Sequence, residues 1–281
     1  MGTGPTEYRT LATDDERLHR QIRYALIPGA GPWDDEARAE LNERIEENRF
    51  ISRANRGLFT EEAENDAKPL AVAGWYDLRT RIRGGYHPVG AVTAVATPPE
   101  HRRNGYVREL LLKMLVEFQT EGMAFAALWP FKRSFYRDLG WETGSLYDQV
   151  SGKPAQFQSA GADPAGEFIA VSPDDWETLA PILAVHERNR ALHVERSAEW
   201  WEKRIFQQWG GQDNFGYRWD DDRDEPRAYV IYRFNDDDSQ DGRTLRVVEA
   251  AWTDPEAYRQ LFRFLGNHDS QAEMVKCSLP H

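Results

Sequence analysis

The stretch from Val92 to Leu115 constrains the fold more than any other, because it predicts a strand, a tight turn and a helix in direct succession. Residues 90–97 are small or β-branched, which favours a strand buried on both faces. Pro98 and Pro99 end this strand, since proline cannot donate to a β-ladder. A helix follows over about residues 104–121, with apolar residues spaced along one helical face. These residues are Val107, Leu110, Leu111, Met114, Leu115 and Phe118.

The turn between strand and helix carries Arg102, Arg103 and Gly105. It lies where the first helical N–H groups have no partner within the helix, and those groups favour an anion together with the helix dipole. Glycine lets a phosphate approach the backbone closely, and the arginines add forked donors for its oxygens. The alternative is a surface turn with two solvated arginines. Because strand and helix flank the turn in the required order, we favour a pyrophosphate-binding turn.

The segment from Pro99 to Gly105, followed by an apolar helix, resembles the acyl-CoA signature of GNAT-superfamily N-acetyltransferases, and more narrowly that of the enhanced-intracellular-survival (Eis) family. A second segment, residues 135–141, is similar to a Phe-Tyr-x-x-x-Gly-Trp pattern of the same family. Val107 departs from the general signature, which has Gly or Ala there, although Eis-like sequences tend to carry an aliphatic residue. The resemblance implies an α/β (α+β) fold of tandem GNAT-like domains, each a mixed, mostly antiparallel sheet flanked by helices.

The resemblance also implies acetyl-CoA as cosubstrate. Its pantetheine arm would pair with the backbone where the central strand and the next strand, about residues 125–128, splay apart. Two residues just past that next strand match positions that contact the cofactor in Eis-like proteins. The cofactor-binding residues predicted from the turn and from the resemblance are Val95, Ala96, Thr97, Arg102, Arg103, Asn104, Gly105, Tyr106, Val107, Arg108, Phe131 and Lys132.

Tyr136 is the predicted catalytic residue. An amine that attacks the thioester releases a CoA thiolate, and a phenol with an ordinary pKa of about 10 can protonate that thiolate at neutral pH. The alternative is an aromatic packing residue whose hydroxyl is hydrogen-bonded. The surrounding pattern and the position of Tyr136 after Pro99, as in the family, favour the general acid.

The general base stays open at this point. Eis-like enzymes are thought to use their own C-terminal carboxylate, which a third, sterol-carrier-like domain delivers, whereas this sequence stops at His281, before such a domain. Either the chain is a fragment or another base serves. Acidic residues on elements near the predicted cleft, none singled out by spacing, are Glu7, Glu61, Asp77 and Glu142.

The chain before the central strand predicts two antiparallel strands, residues 57–62 and 69–83. By resemblance to GNAT folds, the loop from Ile27 to Trp33 borders the acceptor site. The alternative is an ordinary loop that holds Trp33 against the core.

A stretch rich in Gly, Pro, Ser and Ala, residues 151–167, predicts a linker. It would separate a catalytic, acyl-CoA-binding domain over residues 1–150 from a second unit over residues 168–281. The order of predicted elements in the second unit again suggests a GNAT-like half, but Thr253-Asp254-Pro255 precedes its last long helix, where an acidic residue would repel phosphate. We therefore predict a degenerate second domain that lacks the cofactor motif.

Composition excludes several other classes of protein. One cysteine, Cys277, allows no intrachain disulfide and no CxxC site, and the seven histidines lack ligand spacing, so we expect no metal. The net charge of −12 argues against nucleic acid as a partner. No apolar run is long enough to span a membrane and no signal peptide is visible, so we expect a cytoplasmic protein.

Acidic clusters such as residues 34–36 and 220–222 occur along the whole chain, and lysine is scarce. This composition favours a halophilic source, where salt screens the repulsion between carboxylates, over an acidic surface that attracts a cationic substrate. Eis-like relatives form hexamers, which implies a homo-oligomer here.

Together these features predict an acetyl-CoA-dependent N-acetyltransferase that transfers an acetyl group to a primary amine of a small molecule or peptide by direct attack. The alternative is a non-catalytic module that binds acyl-CoA as a sensor or scaffold. The sequence names neither the acceptor nor the preferred acyl chain.

Overall fold

The computed structural model describes residues 4–27, 29, 31–47, 53–158, 165–207, 214–236 and 242–280. The chain forms two compact units, Met1–Thr143 and Gly144–His281. The division precedes the predicted boundary at residue 150 because Tyr147–Gly152 is a strand of the second unit's sheet. The predicted linker therefore includes a strand end and a short helix, Pro154–Gln158, while its residues 159–164 lie outside the described part.

The first unit contains one sheet with neighbouring strands in sequence order. The strands are β1 (Thr6–Leu11), β2 (Arg53–Thr60), β3 (Ala71–Ile82), β4 (Gly85–Ala96) and β5 (Phe125–Leu128). β1 to β4 pair antiparallel, and β4 pairs with β5 in parallel. The helices are α1 (Glu16–Leu26), α2 (Asp35–Glu47), α3 (Tyr106–Thr120) and α4 (Arg133–Arg137), with a 3₁₀ turn at Pro99–His101.

Helix α3 covers one face of this sheet, and the predicted apolar stripe is the face it buries. Leu110, Leu111 and Met114 are fully buried in a core shared with Trp75 and Val92. Burying such side chains contributes about 1.5–3 kcal/mol each. Gly90 leaves room for the helix, since a Cβ there would stand 2.7 Å from the Phe118 ring.

Helix α1 packs against the opposite face. Asp15 caps its N-terminus by accepting from the Arg17 backbone N–H at 2.9 Å. Leu18, at 0% exposure, then contacts a small core that includes Phe59 and Val72. The strand register and the two cores therefore separate the sheet into an α3 face and an α1 face.

The second unit has its own sheet, in the order β6-β12-β11-β10-β9-β7. The strands of this sheet are β6 (Tyr147–Gly152), β7 (Glu167–Val171), β9 (Phe215–Asp220), β10 (Pro226–Asp236), β11 (Arg243–Trp252) and β12 (Met274–Pro280). The two-residue strand β8 (His193–Val194) lies in the same part of the chain but not in this sheet. Only β11 and β12 are parallel among the pairs in that order. Its helices are α5 (Pro154–Gln158), α6 (Trp176–His186), α7 (Ala198–Trp200) and α8 (Pro255–Gly266), with a 3₁₀ turn at Pro173–Asp175 and a π-helix at Trp201–Phe206.

The predicted fold class is confirmed: two tandem units, each with a mixed, mostly antiparallel sheet flanked by helices. Among the described residues no helix has both the length and the apolar character needed to cross a membrane. Within the same ranges no group of three or more His, Cys, Asp or Glu side chains could hold a metal ion.

Candidate active site

The parallel strands β4 and β5 separate partway along β4. Their pairing runs from Val89 opposite Phe125 to Val92 opposite Leu128, and β5 ends there, although β4 continues to Ala96. Residues 93–96 therefore have no β5 partner. Backbone groups at such an edge are free to pair with an extended ligand.

A β-bulge lies in the same part of β4. Val72 pairs with Ala96 whereas Gly74 pairs with Thr93, so β4 holds one extra residue, and Ala94 has a positive φ of 53°. Bulges bend a strand and redirect its backbone groups. The structure thus places Val95 and Ala96 just past the bulge, and Thr97 follows with its hydroxyl bonded to the Leu70 carbonyl at 2.8 Å.

The turn after β4 presents a row of unpaired N–H groups. Arg103 and Gly105 adopt positive φ values of 65° and 86°, and Gly105 is the N-cap of α3 with no side-chain cap. The first turn of α3 closes only with the Glu109 N–H, which donates to the Gly105 carbonyl at 3.0 Å. In the described chain the N–H groups of residues 103–108 have no hydrogen-bond acceptor. A concave set of backbone donors at a helix N-terminus binds anions well.

The turn itself carries two exposed positive charges, at Arg102 and Arg103. Arg102 and Arg103 are exposed and form no ion pair within the described ranges. The Arg102 guanidinium lies 5.7 Å from the Tyr24 ring of α1. Arg108 donates to the Asp138 carbonyl at 3.3 Å, which ties α3 to the end of α4. Asn104 is also exposed, so the predicted turn residues lie together at one corner of the unit.

Tyr136 of α4 combines a buried ring with an open hydroxyl. The residue is 4% exposed, and its ring contacts those of Phe131, Phe135 and Trp141 at centroid distances of 5.4, 5.1 and 6.2 Å. Burial raises the pKa of the phenol. Its hydroxyl has no hydrogen-bond partner in the described part and is not among the fully enclosed polar atoms. The alternative, an aromatic packing residue with a hydrogen-bonded hydroxyl, therefore explains the position of the ring but not the unpartnered hydroxyl.

The chain between β5 and α4 exposes aromatic surface. Phe131 is 74% exposed and Lys132, also exposed, stands at the N-cap of α4. Trp129, which sequence reasoning did not single out, is 85% exposed. A tryptophan directly after the predicted strand was the available signal, since exposed aromatic side chains often contact ligands.

Within the described ranges none of the four candidate bases forms a hydrogen bond with Tyr136. Glu7 accepts from Arg9 at 2.8 Å, and Glu142 accepts from Arg137 at 2.9 Å. Glu61 and Asp77 are exposed.

Sequence reasoning also missed a half-buried polar cluster on the α3 face, where Tyr8 and Arg56 both contact Glu117. Burial and the neighbouring carboxylate raise the pKa of the Tyr8 phenol.

The predicted acceptor loop is only partly described, since Pro28 and Ala30 lie outside the described residues. Trp33 donates its Nε1–H to Glu16 at 3.0 Å, and Glu16 in turn pairs with Arg38 at 2.7 Å. This half-buried tryptophan therefore joins α1 to α2 through a carboxylate.

The corresponding corner of the second unit is closed. Asp254 caps α8, and its carboxylate accepts from the backbone N–H groups of Glu256 and Ala257 at 2.9 and 3.1 Å. A side chain of the protein thus occupies the position where α3 leaves its N–H groups open.

Comparison with protein families identifies both units. Residues 32–144 match one family model described as an acetyltransferase (GNAT) domain, and residues 192–281 match another of the same description. No protein with a curated description matches the sequence significantly.

Solved structures share the fold over 98% of the chain. One is from Enterococcus faecalis, described as a probable N-acyltransferase, with 17% identity and a TM-score of 0.77. Another is Eis1 from Mycobacterium abscessus, with 21% identity and a TM-score of 0.66. The chain spans 66% of the length of each. N-myristoyltransferase from Saccharomyces cerevisiae, with bound myristoyl-CoA, shares 10% identity at a TM-score of 0.57, and the match covers 77% of its length.

These likenesses show the fold, and the two matched models together cover more than half of the chain. The resemblance inferred from the turn and from residues 135–141 is confirmed at the level of the family. The chain belongs to the GNAT acetyltransferases and carries two GNAT domains in tandem.

Proposed function

We propose that the first unit is an acetyl-CoA-dependent N-acetyltransferase that transfers an acetyl group to a primary amine of a small molecule or peptide. The observation that carries this proposal is the uncapped N-terminus of α3, whose free N–H groups lie directly after the unpaired end of β4. A phosphate-bearing, extended cosubstrate matches both features.

The residues of this corner fit the parts of acetyl-CoA. N–H groups of residues 103–108, with Arg102 and Arg103, would hold the diphosphate. A Cβ on Gly105 would meet nothing within 4 Å, so the backbone is open to a phosphate there. Residues 95–97 would pair with the pantetheine arm, and Phe131 and Lys132 would border it.

Tyr136 would act as the general acid. Bound acetyl-CoA supplies a thioester whose carbonyl carbon the amine attacks, with release of the CoA sulfur. The Tyr136 hydroxyl would donate its proton to that sulfur, and the proton that the amine nitrogen loses on forming the amide would return to the phenolate through solvent. The raised pKa of the phenol keeps it protonated at neutral pH. This role is supported by the packed ring of Tyr136, which holds the residue in place, and by its hydroxyl, which has no partner in the described part of the chain.

The test combines isothermal titration of the whole chain with acetyl-CoA and thiol release with a panel of amines. An acetyltransferase is expected to bind acetyl-CoA and to release CoA thiol when an amine is added. A non-catalytic acyl-CoA sensor would bind without turnover, and Tyr136→Phe would leave its behaviour unchanged. Absence of binding would contradict both functions.

Three further expectations belong to the same proposal: a cytoplasmic protein, a homo-oligomer and adaptation to high salt. Light scattering after size exclusion measures the oligomer. Thermal unfolding in 0.1 M against about 2 M KCl tests the salt dependence that an acidic surface produces.

A further inference from the structure

Strand β2 carries two polar side chains on the α1 face of the first sheet. Arg53 pairs with Tyr76, and Asn55 pairs with Gly74. The intervening Ala54 belongs to the core on the α3 face. Because side chains alternate along a strand, Arg53 and Asn55 point to the α1 side.

The Asn55 amide and part of the Arg53 guanidinium are buried without partners. Asn55 is 1% exposed, and neither its Nδ2 nor its Oδ1 has a hydrogen-bond partner. The Nε and Nη2 of Arg53 are likewise buried and unpartnered. The nearest ring is that of Tyr76, 5.8 Å from the guanidinium carbon, and burial lowers the pKa of Arg53.

No carboxylate within the described ranges pairs with this arginine. The neighbouring group that favours its charge is the Tyr76 phenol, which contacts the guanidinium and is neutral at ordinary pH. His19 of α1 is buried nearby, feels the charge of Arg53, and bonds the Thr13 carbonyl through Nε2 at 2.6 Å. A buried charge destabilises the folded protein unless an anion and hydrogen bonds compensate it. Buried polar atoms in native proteins nearly all have partners.

Glycine at position 74 makes this arrangement fit. A Cβ there would stand 2.8 Å from Asn55 Oδ1 and 3.0 Å from Arg53 Nε, so only glycine lets both side chains lie against β3. A guanidinium fork beside an amide N–H₂ is a donor set suited to a carboxylate.

The position of the pair relates it to the cosubstrate site. Gly74 pairs with Thr93, the first residue of β4 beyond the β5 pairing. Asn55 is thus two strands from that unpaired edge, about 10 Å at the usual strand spacing. The α-amine of an amino acid lies too close to its own carboxylate to span that distance. An amine several bonds from the carboxylate can span it.

We propose that Arg53 and Asn55 bind a carboxylate of the acceptor, so that the acceptor is an amino acid or similar compound acetylated on an amine several bonds from its carboxylate. This inference rests on the proposed function. The acceptor carboxylate would then lie on the α1 face of the sheet, and the acceptor amine would lie near the unpaired end of β4.

Lysine and cadaverine form a matched pair of acceptors, because they share the terminal amine and differ by the carboxylate. With the full chain and acetyl-CoA, kcat/KM for lysine should exceed that for cadaverine at least about tenfold, as one or two charge-assisted hydrogen bonds provide. Arg53→Met should reduce this ratio at least about tenfold, mainly through KM. Arg259→Met, at an exposed arginine of the second unit, should leave the ratio unchanged.

A second variant guards against misfolding of the first. Asn55→Asp supplies an internal carboxylate beside Arg53, so it should raise Tm and abolish the preference for lysine. Ethanolamine phosphate as a third acceptor separates a carboxylate site from a general anion site, since a site fitted to carboxylate should turn it over no faster than cadaverine.

Equilibrium binding separates this inference from the proposed transfer. Isothermal titration with N6-acetyllysine against N-acetylcadaverine, in the presence of CoA, needs no turnover. Tighter binding of N6-acetyllysine that Arg53→Met removes would support the carboxylate site even if transfer failed. Equal kinetics and equal binding of the two compounds, unaffected by Arg53→Met and Asn55→Asp, would overturn it and leave only trapped water at the pair.

Discussion

The two units contain the same strand–turn–helix–strand segment with opposite chemistry at the turn. In each, a parallel strand pair flanks the long helix, β4 and β5 around α3, β11 and β12 around α8. Each also has a register shift between the first of these strands and its antiparallel neighbour. Yet α3 begins at an uncapped Gly105, whereas α8 begins at a carboxylate cap from Asp254. The fold alone therefore does not make a phosphate site; an open N-terminus does.

Charge follows the same division. The arginines before α3 have no carboxylate partner in the described ranges, but Arg227 beside α8 pairs with Asp254 at 2.8 Å. Burial would raise the pKa of Asp254, but hydrogen bonds from Arg227, Thr253 and the helix N–H groups outweigh it and lower the pKa to about 2. The Asp254 carboxylate satisfies in α8 the donors that we propose a diphosphate satisfies in α3.

The largest expected effect comes from closing the open turn. Gly105→Glu places a carboxylate where Asp254 stands in the second unit, so acetyl-CoA binding should weaken at least about a thousandfold, as loss of two or three charge-assisted hydrogen bonds predicts. Isothermal titration measures it. Gly105→Ala is the control: it meets no atom within 4 Å and adds only the strain of a positive φ, about 1–2 kcal/mol. Normal binding by the glutamate variant would refute the assignment.

Tyr136→Phe should lower kcat about a hundredfold, the lower end for loss of a general acid, and leave the Kd for acetyl-CoA unchanged. Since burial raises the pKa of this phenol, the acid stays protonated as pH rises, and wild-type kcat should not fall between pH 7 and 9 on its account. Stopped-flow thiol release over that range provides both readings. An unchanged kcat in the variant would reduce Tyr136 to a packing residue.

Removing the N-terminal cap of α8 should lower the stability of the folded protein and leave acetyl-CoA binding unchanged. Asp254→Ala removes the cap of α8 and should destabilise the protein by about 1–2 kcal/mol, measured by urea unfolding at pH 7. The folded pKa of about 2 lies below the usual 3.8, so this contribution is present above about pH 4 and is lost as pH falls toward 2. Asp254→Asn, which can still cap, is the control. A change in acetyl-CoA affinity in either variant would contradict the division of roles between the units.

The smallest effect is expected for Arg103→Ala, which removes one exposed cation and none of the backbone donors. The Kd for acetyl-CoA should rise about three- to tenfold at low salt, and the difference should shrink in 1 M KCl because the Debye length falls to about 3 Å. An effect as large as that of Gly105→Glu would mean that side chains, and not the N–H groups, hold the anion.

The local sequence pattern was enough to predict the strand–turn–helix segment that contains α3. The prolines, the basic turn and the apolar spacing place α3 and its buried face, because each signal acts within a few residues. The closed turn of the second unit was equally visible, since Asp254 directly precedes Pro255. The roles assigned to the cofactor residues and to Tyr136 stay predictions.

Long-range pairing was not readable. Residues 147–152 form a strand because they pair with β12, more than a hundred residues later, which is why the predicted boundary came late. Strand β2 was predicted to begin at Gly57, but it begins at Arg53. A half-buried arginine and a buried asparagine depart from the apolar pattern of a strand. This pair therefore becomes visible only when the sheet register places it opposite Gly74 and Tyr76.

The most direct measurement is the stoichiometry of CoA binding to the whole chain by isothermal titration, with backbone amide shifts followed by NMR. We predict one CoA per chain, with amide shifts at residues 103–108 and none at residues 256–258. Two CoA per chain, or shifts at the start of α8, would show that the Asp254 cap does not close the second unit. No shift at residues 103–108 would show that the open turn of the first unit does not bind the diphosphate.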